Sequence, residues 1–228
     1  PDSLHRKCPS CGEDFSLAHA LKCKHGGWVY RRHKEVVRAW MRLLDKLTPD
    51  VSEEPHLPLV DGVRFSKCST TRDPEARADI KVRGIFTAQR DAFLDVAVMD
   101  TGADFYEGIS SGILLRRKED QKRGKYEERV APHGDFAPLI CSVYGTLAPE
   151  CAKLLTRVTR GLDKEQDKEA AMWMARAQLQ TAVIKATSLC IRSRSAPKIP
   201  PVSSPSEVLL DCLVEAEDCG VRDALDLH

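Results

Sequence analysis

Between Trp28 and Leu47, apolar side chains fall at Val36, Val37, Trp40, Met41, Leu44 and Leu47, at intervals of three and four. That period predicts one amphipathic helix. Pro49, Pro55 and Pro58 end the pattern, because proline interrupts a helical hydrogen-bond ladder. Leu57 to Phe65 reads as a strand pair folded at Asp61-Gly62, a dipeptide common in hairpin turns, and 68–75 reads as polar loop. From Arg77 to Gly84 (RADIKVRG) the period changes to two, with Ile80 and Val82 on one face and Asp79, Lys81 and Arg83 on the other. Ala92 to Met99 (AFLDVAVM) is a β-prone apolar run with one charge, Asp95, and the polar link before it suits an antiparallel hairpin. Leu147, Leu154, Leu155 and Val158, then Trp173, Leu179, Val183, Ile184 and Leu189, return to helical intervals over 147–162 and 165–193. Helices alternating with strands predict an α/β fold.

Charge adds to the first helix. Arg31, Arg32, Lys34 and Arg38 crowd the surface left by its apolar stripe. Such a row is either a solvated face or one that meets nucleic-acid phosphates. The whole chain of 228 residues carries a net charge of only +1, so it is no uniformly basic nucleic-acid coat. No run approaches the roughly 18 uncharged apolar residues of a membrane span, and no signal-peptide pattern opens the chain at Pro1. Ala196 to Ser206 is rich in Pro and Ser and reads as a linker to an acidic, leucine-containing tail.

The nine cysteines are unevenly placed, with three in the first 23 residues and the others scattered. An odd, scattered set points to reduced thiols in an intracellular compartment rather than a disulfide framework. The early cluster reads Cys8-Pro-Ser-Cys11, with His19 and Cys23 following one helical turn apart. A Cys-x2-Cys turn and an i,i+4 pair bring four donors to one point, the pattern of a closed structural zinc site. So short a segment has little core of its own, so metal binding would supply its folding energy. His5 and His25 are alternatives to His19 with poorer spacing.

Closing the hairpin around residues 87 and 88 sets Asp79 and Asp95 on one face at neighbouring positions. Two carboxylates on adjacent strands offer oxygen ligands to a hard cation such as Mg²⁺. Alternatively, Asp79 pairs with Arg77 or Arg83, and Asp95 sits at a solvent-facing edge. Lys81 shares the Asp79 face and is a geometric candidate for an amine near the pair.

Several phrases in order carry a resemblance: FSLAHALKCKHGG, RRHKEVVRAW, EARADIKVRG, AFLDVAV, KEDQKRGKYEERV and HGDFAPLICSVYG. Together they resemble the C-terminal region of site-specific non-LTR retrotransposon polyproteins, where a Cys-Cys-His-Cys knuckle precedes a restriction-enzyme-like endonuclease of the PD-(D/E)xK type. The resemblance runs from about Cys8 to Arg194. It implies a mixed sheet flanked by helices, with a helix over Ile113–Val130 and a strand over Phe136–Tyr144. The implied domains are a knuckle at 1–27 and a nuclease-like domain at 28–195, and the linker and tail at 196–228 lie beyond the resemblance. The implied chemistry is Mg²⁺-assisted hydrolysis of a DNA phosphodiester, with Asp79 and Asp95 as first and second acids and Glu35 as an auxiliary acid. In retrotransposons of this type, the cut frees a 3′-hydroxyl that primes reverse transcription. Two positions depart from the family pattern: Ala78 replaces the proline before the first acid, and Ala97 replaces the lysine expected after the second. Lys122, in a Lys-x3-Tyr pattern with Tyr126, is the amine that the resemblance implies instead.

No polymerase-like segment accompanies these motifs, so an excised domain or a domesticated host copy is expected. An active domain would work on DNA in the nucleus. A copy that has lost cutting would serve as a structural or nucleic-acid-binding subunit of a larger assembly, including an organellar one.

Overall fold

Among the described residues, four strands form one sheet in the spatial order β1 (Val51–Glu53), β2 (Ile80–Arg83), β3 (Asp91–Met99) and β4 (Gly134–Ser142). The structure is a computed structural model, and it describes residues 7–59, 73–161 and 168–195. β1 and β2 are antiparallel, as are β2 and β3, whereas β3 and β4 run parallel. A parallel pair needs a crossover, and α3 (Ser111–Val130) supplies it. The α/β class that the alternating pattern predicts, and the mixed sheet flanked by helices that the resemblance implies, are therefore the fold observed.

β3 sits between β2 and β4 and is covered on both faces, so it reads as a nearly continuous apolar run. Ala92, Leu94 and Val96 point to the larger core, where they meet Val36, Val37, Trp40 and Leu44 of α2 (Trp28–Leu44). Leu154, Leu155 and Val158 of α4 (Pro149–Gly161) and Leu179 and Val183 of α5 (Lys168–Ser195) close that layer. Phe93 faces the other way, with Phe136, Val130 and Leu57, while Ile140 packs on Leu115. β4 lies at the sheet edge, which accommodates Pro138 because a proline lacks the donor an interior strand needs.

The knuckle joins the body through a short α1 (Leu17–Lys22), whose Leu17 and Leu21 line a cavity with Val143, Ile184 and Ile191. Gly26 and Gly27 turn the chain from there into α2 with φ of 73° and 72°, a region in which a side chain would be strained. Arg129 is 2% exposed and donates to the carbonyls of Pro58, Asp73 and Leu57.

Some boundaries differ from expectation. The first helix stops at Leu44 rather than Leu47, and the third begins at Ser111. β4 spans Gly134–Ser142 rather than 136–144, because its register with β3 starts at Asp91 opposite Gly134. β1, between Pro49 and Pro55, was not expected at all. It pairs Val51 with Val82, and three residues are too few to show a period. The strand pair expected over 57–65 falls mostly at 60–72, outside the described residues, and Leu57–Leu59 is not strand. The linker and acidic tail at 196–228 also lie outside. Among the described residues, no helix is long and apolar enough to cross a membrane.

Candidate metal centre and acidic site

Residues 7–14 fold back on themselves, with Lys7 bridged to Asp14 and the Cys8 amide donating to Glu13 O at 2.7 Å. That turn presents Cys8 and Cys11. Ser16 caps α1 by accepting from the His19 amide at 3.0 Å, the usual role of a serine at a helix start. The Cys23 amide donates to His19 O at 2.9 Å, so the two residues sit one helical turn apart. All four ligand atoms of Cys8, Cys11, His19 and Cys23 lie within 4.8 Å of one another. Cys11 Sγ is 3.2 Å from His19 Nε2 and 3.7 Å from Cys23 Sγ. Tetrahedral zinc with bonds of about 2.0–2.3 Å needs donor separations of that order. Three thiols and one imidazole fit that ion, and the cluster can hold a metal such as zinc. His25 stands apart in the turn before α2, and His5 lies outside the described residues.

The second cluster is built on the sheet. Ile80 pairs with Leu94, and the Asp79 amide donates to Leu94 O at 3.0 Å. Continuing that register by one residue sets Asp79 opposite Asp95, as period-two reading predicts. Asp79 Oδ2 accepts from the Val96 amide at 2.6 Å and lies 3.3 Å from His33 Nε2, on α2. Lys122, on α3, places Nζ 2.7 Å from Asp95 Oδ2. This contact is an ion pair rather than a well-directed hydrogen bond, since no hydrogen-bond partner satisfies that oxygen.

Burial pushes the Asp95 carboxyl above the usual carboxylate range, opposed by Lys122 and reinforced by the charge of Asp79. Burial pulls Lys122 down, but the adjoining Asp95 more than offsets this and its pKa is raised. His33 behaves likewise: burial lowers it, the bond and charge of Asp79 raise it, and the net shift is upward. Lys118, one turn before Lys122, is lowered by burial and then by the Lys122 charge. The pair is thus a partly desolvated dicarboxylate bracketed by an imidazole and an amine. Oxygens so placed are hard donors suited to Mg²⁺.

The other expected residues sit elsewhere. Glu35 pairs with Arg38 at 2.7 Å, and its two-residue offset from His33 turns it to another side of α2. Lys81 lies opposite Phe93 and reaches Asp91 at 3.8 Å. Arg31 lies over the Trp28 ring at 4.7 Å, and Lys34 is held by Glu53 at 2.7 Å and by Glu54. Arg32 is buried at 5% exposure, so it is not part of an open basic surface. Ala97, where a lysine was missing, packs beside Ile140 and Leu115.

Sequence reasoning missed His33 and Glu54. His33 stands three and four residues before Val36 and Val37, a polar residue on the apolar stripe, and that was its available signal. Glu54 donates its amide to Asp79 O at 2.9 Å and has a φ of 51°. Nothing in a three-residue strand signals that placement. Comparison with protein-family models and with curated proteins finds no match to the chain. The described residues place the chain in a class: a mixed α/β fold whose four described strands form one sheet, with a Cys3His cluster that could hold a metal.

Proposed function

We propose that the chain is a retrotransposon-derived, Mg²⁺-dependent endonuclease domain that hydrolyses a DNA phosphodiester. One observation supports this above others: Asp79 and Asp95 share a face of adjacent strands, and the Lys122 amine stands 2.7 Å from Asp95. Asp79 and Asp95 are the residues that would hold the cation. When bound, Mg²⁺ lowers the pKa of its water and stabilises developing oxyanion charge. Lys122 balances negative charge at the reacting phosphate and orients the attacking water. His33 holds Asp79 in place from α2, and the Val96 amide fixes the same carboxylate from β3. Lys118 and Lys125 flank Lys122 on α3 and offer further charge to the DNA backbone. The Cys3His centre holds zinc and orients the body on its target. The expected products are nicked circles from supercoiled plasmid with Mg²⁺, and none with chelator. Asp79→Asn and Asp95→Asn should each abolish nicking. Cutting by both variants at the wild-type rate would refute the assignment.

A second reading has its own support. Both carboxylates are engaged by basic side chains, His33 and Lys122, and Trp173 and Met174 are 62% and 63% exposed on α5. A domesticated copy that has lost cutting would use such surfaces as a subunit of a larger assembly. Recovery in a stable complex, with no nicking by the purified chain, would favour it.

A further inference from the structure

α2 and α5 leave a long groove between them, on the side of α2 turned away from His33. One cavity of about 370 Å³ and a second of about 670 Å³ follow each other along it. Ala39, Ala182, Ala186 and Leu189 contribute apolar surface, and Leu189 is 48% exposed. Arg42, Lys46 and Lys185 stand along its sides, with Glu35 the acidic residue of the lining. At the first cavity Arg32 is 5% exposed, and its Nε and Nη1 have no hydrogen-bond partner among the described residues. A buried guanidinium lacking acceptors is costly, and a carboxylate is its natural complement.

We propose that this groove is the docking site of the chain's own acidic segment, Glu207 to Leu227. That segment carries Glu207, Asp211, Glu215, Glu217, Asp218, Asp223 and Asp226 against one Arg222. Its Leu209, Leu210, Leu213 and Val214 are interleaved with those acids. The complement is specific in both terms: leucines for the alanine and leucine floor, carboxylates for the arginines and lysines beside it. A nucleic-acid backbone would meet the charges but would leave the apolar floor uncovered. Reach is adequate. The groove wall from Ala177 to Leu189 is about 18 Å of helix, and residues 196–206 span up to about 36 Å when extended. The proposal does not depend on the nuclease reading and stands if the acidic pair never cuts.

The test is carbodiimide coupling of the full-length protein, which joins carboxylates to nearby lysine amines, mapped by mass spectrometry. Lys46 and Lys185 should link to peptides from 207–227 in the monomer-sized band. Their yields should exceed by several-fold that of Lys153, whose side chain is 72% exposed on α4. Arg42→Glu should lower the Lys46 yield several-fold. Tail links spread evenly over all three lysines, or unchanged by Arg42→Glu, would overturn the assignment. Links confined to dimer-sized bands would assign the groove to a second copy and also overturn it. So would absence of tail links together with protection of Lys46 and Lys185 by a DNA duplex.

Discussion

Lys122 and Asp95 hold each other's charge in a setting neither tolerates alone. Asp95 is 6% exposed, and removing one member of a buried pair strands the other. Lys122→Met should therefore cost about 3–5 kcal/mol of stability, and the added change Asp95→Asn should return much of it. Urea unfolding of both variants measures this. His33 gives the site a pH dependence. Burial lowers its pKa, but Asp79 raises it further, leaving it above the ordinary value of 6.5. The stabilisation from the His33–Asp79 contact is complete below about 6.5 and is lost as pH rises through the raised folded-state value. A melting-temperature profile should fall across that window in the wild type and flatten there in His33→Gln. The two aspartates were legible because strand alternation is a rigid rule. His33 was not, because it sits in a run of basic residues that reads first as surface.

The knuckle and the sheet differ in what holds them. Cys8, Cys11, His19 and Cys23 converge on one point, with little apolar packing besides Leu21 and Ala20. β3, in contrast, is paired on both edges and covered on both faces. If the centre holds zinc, chelation should strip amide protection from the Cys8–Glu13 turn and α1 while leaving β3 and β4 protected. Hydrogen exchange resolved by residue checks this. Cys11→Ser should behave as the chelated protein does. The helices were legible from period, and the knuckle from ligand spacing. β1 was not, because it exists only through pairing with β2, and Glu54 takes its position beside Asp79 from that pairing.

At the scale of the molecule, the fold class followed from alternating helix and strand, and α3 supplies the crossover that the parallel β3–β4 pair requires. The amine beside the acidic pair could not be placed by strand pattern, because Lys122 reaches Asp95 from α3 rather than from a strand. Family resemblance named it, and tertiary packing brings it to the carboxylate. Glu35 lies on the helix that the resemblance implies, on the face that lines the groove. The proposed function stands or falls with a divalent cation held by Asp79 and Asp95 beside Lys122. Mn²⁺, a spectroscopic substitute for Mg²⁺, measures this directly by loss of its free-ion electron paramagnetic signal on titration into the zinc-loaded protein. Binding should be saturable in the wild type and abolished in Asp79→Asn and Asp95→Asn. Equal binding by all three proteins, or none by the wild type, would contradict it.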